Sequence, residues 1–289
     1  MDSICSDVRH DPSKDAAHID ISTFTILPAF SSALEEKTRR PRSDPPYVDQ
    51  DGDLVLDRCH QVGKAVAIHH ACSTDLSRVG LQVWPGALLL ADYILEHEKH
   101  FDGCVGMEVG AGTGFAGLVL AQSARRVFLT DHDAGVMCNC QRNVEANASE
   151  FRHGPGVALV RHLDLFHAVP SDPGKNLCAG RHSGITSADT GNEAQETFQW
   201  RPENLADLAD LQVILAADII YDDDLTEAFM RLVESFLMPD QSKPGLQRTL
   251  LLATEKRYNI TMYDAAPQPH AYLFFRDLFR AEGEELHLN

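Results

Sequence analysis

The 289-residue chain has no CxxC pair, no His/Cys cluster at zinc-finger spacing and no apolar run approaching the roughly 20 residues that span a bilayer. Structural zinc and a membrane-spanning helix are thereby excluded as organising principles. Its cysteines (Cys5, Cys59, Cys72, Cys104, Cys138, Cys140 and Cys178) are odd in number and scattered, which argues against a disulfide framework and for reduced thiols in a nuclear or cytoplasmic compartment. Cys138 and Cys140 lie one residue apart in a segment read as helical, so their side chains point about 200° apart and serve packing. Basic residues are scarce: 25 Lys+Arg against 43 Asp+Glu give a net charge of −18. That balance disfavours nucleic acid and anionic lipid as direct partners and leaves a basic protein partner as the easier one, although simple acidity is common in intracellular proteins. The start, MDSICSDVRHD, has no basic segment followed by an apolar run, so no export signal is read there.

What remains is enough for one sizeable core with appended segments. Residues 1–45 mix charge, Ser and Pro without a period and are expected to be a disordered tail. Lys37, Arg39, Arg40 and Arg42 within it form a weak import-like cluster of the kind that is more often solvated charge. Residues 46–289 read as one domain, opening with a hairpin over DLVLDRCH and KAVAIHHA. From Gln82 helices and strands alternate. WPGALLLADYILEH is a helix with Pro85 in its first turn and an apolar face of Leu88, Ala91, Tyr93, Ile94 and Leu95. Next come the strand CVGMEV, the turn GAGTG, the helix FAGLVLAQSA and the strand RVFLT, with Asp131 at its end. A helix over DAGVMCNCQRNVEAN follows, then strands GVALVRHL and LQVILAAD, a helix over DDLTEAFMRLVESFLM, the strand TLLLAT and a helix in AYLFFRDLFRA. Such alternation predicts an α/β fold with a doubly wound, mostly parallel sheet and helices on both faces. About residues 170–199 the composition falls to Ser, Gly, Asp, Thr and Asn, predicting a flexible insertion in which only Phe198, with Trp200 just beyond it, offers anchoring mass.

The chemistry concentrates at Glu108-Val-Gly110-Ala-Gly112-Thr-Gly114, between a predicted strand and a predicted helix. Glycine lets the chain turn sharply and lets its backbone approach a nucleoside at the sheet's carboxyl edge, where open α/β sheets bind ligands. Asp131, 19 residues beyond Gly112 (131 − 112), is placed to accept both ribose hydroxyls. The same stretch, through Gly117, is a literal GxGxxG, so a dinucleotide site competes. Glu108 discriminates. A carboxylate at the end of a buried strand costs several kcal/mol unless satisfied; the cationic amino-acid end of S-adenosylmethionine would satisfy it, and a pyrophosphate would be repelled.

Taken together, GLQVWPGALLLADYIL, MEVGAGTGFAGLVLA, VFLTDHDAGVMCNCQRNVEAN, ILAADIIYDDDLT and TEKRYN resemble the seven-β-strand protein lysine methyltransferases over roughly residues 48–280. The resemblance implies a class I, Rossmann-like methyltransferase fold, S-adenosyl-L-methionine as donor, and as partner a protein with an accessible lysine, often a chaperone or a nucleic-acid-associated factor. It puts Glu108, Gly110, Gly112 and Gly114 on the methionine and ribose side and Asp131 at the ribose. It further places Leu163 and Asp164 beside the adenine, Ala217 on the cofactor side and Trp84 at the outer wall. Without the resemblance, a lone Trp before a helix-starting Pro is more often a core plug. The family's acceptor motif, DxxY, is present as Asp218-Ile-Ile-Tyr221.

Methyl transfer to nitrogen needs a neutral amine held in line with a sulfonium carbon. A free lysine titrates at about 10.4, so neutralising it near neutral pH costs about 4 kcal/mol. An apolar channel and a cationic donor favour the neutral amine, whereas a bare carboxylate would hold its proton on. Asp218 is therefore assigned to positioning and hydrogen bonding with at most transient proton acceptance, and Tyr221 to bounding the lysine channel. As a plain strand-end residue, Tyr221 would cap the core. Asp222, Asp223 and Asp224 read as the acidic start of a helix; no metal is called for. Two departures stand out. Leu165-Phe166 follow Asp164 where relatives place Trp, with Phe166 as the available substitute. The chain also ends at EGEELHLN, where the resemblance puts a terminal antiparallel hairpin, so the expectation is a sheet short of that hairpin with an edge through which copies could pair. Transfer to another nitrogen or a small molecule, and an inert interaction protein keeping the fold, stay open.

Overall fold

A computed structural model of the chain describes residues 19–26, 64–167, 197–238, 243–260 and 266–280. The chain divides into two units, Met1–Ser22 with Ala67–Asn289 and, separately, Thr23–Val66; the site described below lies wholly in the first. Strand β1 (Ile19–Ile26) pairs with β2 (Lys64–Ala71) in a two-stranded sheet. The segment IDISTFTI, assigned to the tail from sequence, is thus a strand: its β-branched run suits pleated backbone despite the polar residues around it. Ser22 Oγ meets His70 Nε2 at 2.7 Å, the Cys72 thiol donates to Asp20, and Ile19 packs on the cluster of Ala71, Leu81 and Val136. The other half of the expected hairpin, DLVLDRCH, lies outside the described residues, as do the basic cluster at 37–42, residues 168–196 of the insertion and residues 281–289.

After a 3₁₀ segment (Leu76–Leu81) come α1 (Pro85–Glu96), a short α2 (Glu98–Phe101), β3 (Val105–Val109), α3 (Phe115–Ala121), β4 (Arg126–Asp131) and α4 (Ala134–Asn147). They are followed by β5 (Ala158–His162), α5 (Pro202–Leu208), β6 (Val213–Ala217), α6 (Asp223–Leu237), β7 (Thr249–Ala253) and α7 (His270–Arg280). The buried face of α1 is Ala87, Leu90, Ala91 and Ile94, whereas Tyr93, expected inside, is exposed and stacks on His97. Strands β3 to β7 make one parallel sheet in the order β5-β4-β3-β6-β7. Strands buried on both faces have no solvent side to mark with polar residues, which is why VGMEV and VILAA read as near-continuous apolar runs. Val105, Met107 and Val109 face the cluster containing Phe229, Leu232, Val233 and Phe236 of α6 and Phe275 of α7. Glu108, of the opposite parity, points to α3. That helix lies so close that a Cβ on Gly117 would sit 2.2 Å from Leu129 Cδ2 and 2.6 Å from Glu108 Oε2. Growth of the sheet reverses between β5 and β6, and this places a switch point outside the carboxyl end of β3, where open α/β sheets bind ligands.

Helix α5, absent from the sequence reading, anchors the return from the insertion together with Phe198 and Trp200, both buried. Trp200 donates its indole N–H to His162 O at 2.8 Å, His162 N donates to Phe198 O, and Asn204 Oδ1 accepts from the buried Arg161. Among the described residues no helix is long and apolar enough to cross a membrane.

Helix α4 holds β2 through asparagines one turn apart. Asn147 accepts from Ala67 N (2.9 Å) and donates to Ala67 O (2.7 Å); Asn143 accepts from His69 N (2.7 Å) and donates to His69 O and to Thr113 O in the glycine turn. These side chains supply what a neighbouring strand would. Asn147→Ala strands the donor and the acceptor of Ala67 and should destabilise the chain by about 2–4 kcal/mol, read as a lowered urea midpoint. A loss under about 0.5 kcal/mol would mean that β2 finds other partners.

Candidate functional site

A cleft of about 720 Å³ opens at the carboxyl ends of β3, β4 and β6. Every residue that the sequence assigned to cofactor or acceptor lines it except Gly114, which is the N-cap of α3 and packs against Cys140. The floor is the glycine turn. Gly112 adopts φ +55°, and a Cβ there would lie 2.9 Å from Gly80 O, so only glycine lets the turn pass under the 3₁₀ segment.

Glu108 is 1 % exposed, and its Oε2 accepts from Gly117 N at 2.8 Å. Its second oxygen has no hydrogen-bond partner among the described residues. Burial pushes its carboxyl up to about 8; the Gly117 amide opposes this, and the charge of Asp131 adds to it. The Glu108 carboxyl therefore occupies the amide at the start of α3, where a dinucleotide would seat its pyrophosphate, and this argues against the dinucleotide reading. Asp131 Oδ2 accepts from Gly112 N at 3.1 Å, and Oδ1 from His132 N at 2.8 Å. The same carboxylate raises the pKa of His132, which also lines the cleft.

Across from it, Leu163 is buried and donates its amide to Asp131 O, while Asp164 accepts from Phe166 N and pairs with His167. Phe166 is 61 % exposed and lines the cleft beside Leu165, so the substitute expected for the missing Trp does reach the site. Val79, Gly80, Gln82, Val136 and Ile219 also line it and were missed. The stretch GLQVW was noticed in the sequence, but nothing in it showed that the 3₁₀ segment folds over the glycine turn.

On the β6 side of the cleft, Asp218 follows the strand with φ +51°, an αL conformation that Asp tolerates better than most residues. Oδ2 accepts from Gly86 N (2.7 Å) and Oδ1 from Glu255 N (2.9 Å), while its own amide donates to Ala253 O. With each oxygen bound to backbone, Asp218 pins the start of α1 and the segment after β7. These bonds match the positioning and hydrogen-bonding part of the sequence expectation for Asp218. Ile219 and Ile220 plug the core and leave Tyr221 at the rim, 53 % exposed. Partial burial, with Asp131 and Asp222 nearby, raises its phenol and keeps it protonated. Trp84 lines the cleft and donates its indole N–H to Val79 O at 3.1 Å. Asp222 caps α6 through Leu225 N, with Asp223 and Asp224 in the first turn, as expected of a helix start. No group of three or more His, Cys, Asp or Glu among the described residues could hold a metal.

The sheet order, the glycine turn and the two acids at the ends of adjacent strands define a Rossmann-like class I methyltransferase fold. Residues 65–169 match the family model described as lysine methyltransferase. The chain is 36 % identical over 275 residues to methyltransferase-like protein 22 of Mus musculus, covering 87 % of this chain and 64 % of that protein. It is 35 % identical over 245 residues to methyltransferase-like protein 22 of Homo sapiens, covering 84 % and 55 %. Protein N-lysine methyltransferase METTL21A of Xenopus tropicalis is 25 % identical over 248 residues, 84 % of this chain and 93 % of that one. The chain thus spans about three-fifths of the length of the two methyltransferase-like proteins it matches. The resemblance to the seven-β-strand protein lysine methyltransferases stands.

Two expectations follow. Because the native chain keeps a proton on Glu108 that the unfolded chain releases above 4.5, stability should fall as pH rises from 4.5 to about 8. Glu108→Gln keeps the Gly117 hydrogen bond and should flatten that fall, gaining about 1–3 kcal/mol at the alkaline end of urea titrations; an unchanged pH slope would contradict it. Asp218→Ala leaves Gly86 N and Glu255 N without acceptors and should cost about 2–4 kcal/mol, with Asp218→Asn losing less. Thermal unfolding of both variants decides; an unshifted midpoint for the alanine variant would refute the clamp.

Proposed function

We propose that the chain transfers a methyl group from S-adenosyl-L-methionine to a lysine side chain of another protein. The observation that carries this reading is that the acid-bearing glycine turn and the Asp218–Tyr221 turn open into one cleft. The bound donor would supply an electrophilic methyl on a sulfonium. The second oxygen of Glu108 would meet its ammonium, whose positive charge favours loss of the Glu108 proton, and Asp131 would meet its ribose hydroxyls in place of part of its present bonding to the turn. Gly110, Gly112 and Ala217 would let backbone approach, Leu163, Asp164 and Phe166 would flank the adenine, and Trp84 would close the outer side. The lysine would enter past Tyr221. With Asp218 committed to amides and the Tyr221 phenol protonated, neither wall offers a strong base, so the apolar channel of Ile219 and the Tyr221 ring favours the neutral amine and the proton leaves to solvent at the rim. The name of the METTL21A relative and the family description support lysine as acceptor. The partner we infer is a protein with an accessible lysine, of the chaperone or nucleic-acid-associated kind. Free Cys72, Cys104, Cys138 and Cys140 support a nuclear or cytoplasmic setting.

Incubation with methyl-labelled donor and cell lysate should put label on protein lysines, located by mass spectrometry; label confined to small molecules would end the lysine reading. Calorimetry with S-adenosylhomocysteine should give heat, and none from a folded sample would favour an inert interaction protein. Tyr221→Ala should lower transfer by about tenfold or more while donor affinity changes less than about twofold.

A further inference from the structure

The rim of the cleft carries a cation that methyl transfer as described leaves unused. Arg257 follows β7, and its guanidinium lies 4.6 Å from the centroid of the Trp84 ring. Trp84 is part of the cleft wall, so the guanidinium stands beside that wall. In this acid-rich chain other arginines are committed to carboxylates: Arg125 and Arg126 to Asp207, Arg152 to Glu98 and Asp102, Arg231 to Glu227. Among the described residues Arg257 has no ion pair and no side-chain hydrogen bond. It is near enough to Tyr221 to pull the phenol's titration down against Asp131 and Asp222.

The geometry points to Arg257 as a specificity determinant that receives a carboxylate on the acceptor polypeptide, beside the lysine that enters past Tyr221. This rests on the lysine reading above and names the chemistry flanking that lysine. A guanidinium held over an aromatic face keeps its N–H groups free of that contact, and its planar fork matches a carboxylate with two hydrogen bonds. On the Tyr221 side, Asp222 is spent on capping, but Asp223 and Asp224 are exposed and attract the acceptor ammonium. The rim therefore offers opposite charges to two neighbouring groups of one segment: acid toward the lysine and guanidinium toward the acid next to it. A carboxylate on the donor is the other source of the same chemistry, and the nearness of Arg257 to the rim residue Tyr221 favours the acceptor.

The chain has two tryptophans, and Trp200 is buried in the core, so indole fluorescence on adding a peptide reports Trp84. We would titrate the full chain, with S-adenosylhomocysteine present, with pentapeptides whose central lysine is flanked by glutamate, alanine or arginine. The glutamate peptide should bind about tenfold more tightly than the arginine peptide. Arg257→Ala should level the series, Arg257→Lys keep part of the preference, and Arg257→Glu reverse it, with S-adenosylhomocysteine affinity changed less than about twofold. A glutamate peptide no better than the arginine one, or a preference surviving Arg257→Ala, overturns the assignment. Loss of S-adenosylhomocysteine affinity by about tenfold in Arg257→Ala also overturns it, giving the residue to the donor carboxylate. Labelled donor separates the two readings: label on all three lysines alike sinks the flank assignment alone, whereas no label on any peptide or lysate lysine sinks the lysine reading and the assignment with it.

Discussion

A single hydrogen bond, from Gly117 N to Glu108 Oε2, joins the end of β3 to the first turn of α3, and the character of the cleft depends on it. A carboxyl in the sheet interior would be too costly to keep unless something met it, and one amide at a helix start meets half of it. The contact needs α3 to lie on β3 and β4 at a distance that no side chain at position 117 would permit. The same contact occupies an amide of that helix start and leaves the other oxygen of this cleft-lining residue without a hydrogen-bond partner among the described residues. A protein carboxyl thus stands where a phosphate site would otherwise be.

The two walls use carboxylates in opposite ways. Glu108 is half satisfied, and burial raises its pKa. Asp218 is fully engaged with backbone, and what it contributes is shape: it ties the start of α1 and the segment after β7 to the end of β6. Since Trp84 immediately precedes α1 and Arg257 lies just past Glu255, the clamp also fixes the distance between the indole and the guanidinium stacked on it. An acid that reads as acceptor chemistry in the motif thereby positions the rim through its neighbours.

Most of the sheet and its helices were legible because central parallel strands buried on both faces are near-continuously apolar, as in VGMEV and VILAA, and the flanking strands RVFLTD, ALVRH and TLLLA keep short apolar cores between helices. The elements that escaped are short or partnered from afar. Helix α5 is one polar segment beside a long insertion, and β1 pairs with a strand some forty residues later in the chain, so neither has a local period strong enough to announce itself. The asparagines of α4 look like ordinary surface polarity until β2 is laid along them.

Residue chemistry and spacing alone were sufficient for the glycine turn and its acids at 108 and 131, because each rests on local geometry: a strand end, a tight turn, a helix start; the Asp218–Tyr221 pair was legible only through the family resemblance. Which oxygen of which acid remains free, that Phe166 reaches the cleft, that Gly114 does not, and that Arg257 stacks on Trp84 came from packing. Those facts join segments far apart along the chain, and no local preference encodes the distance between them.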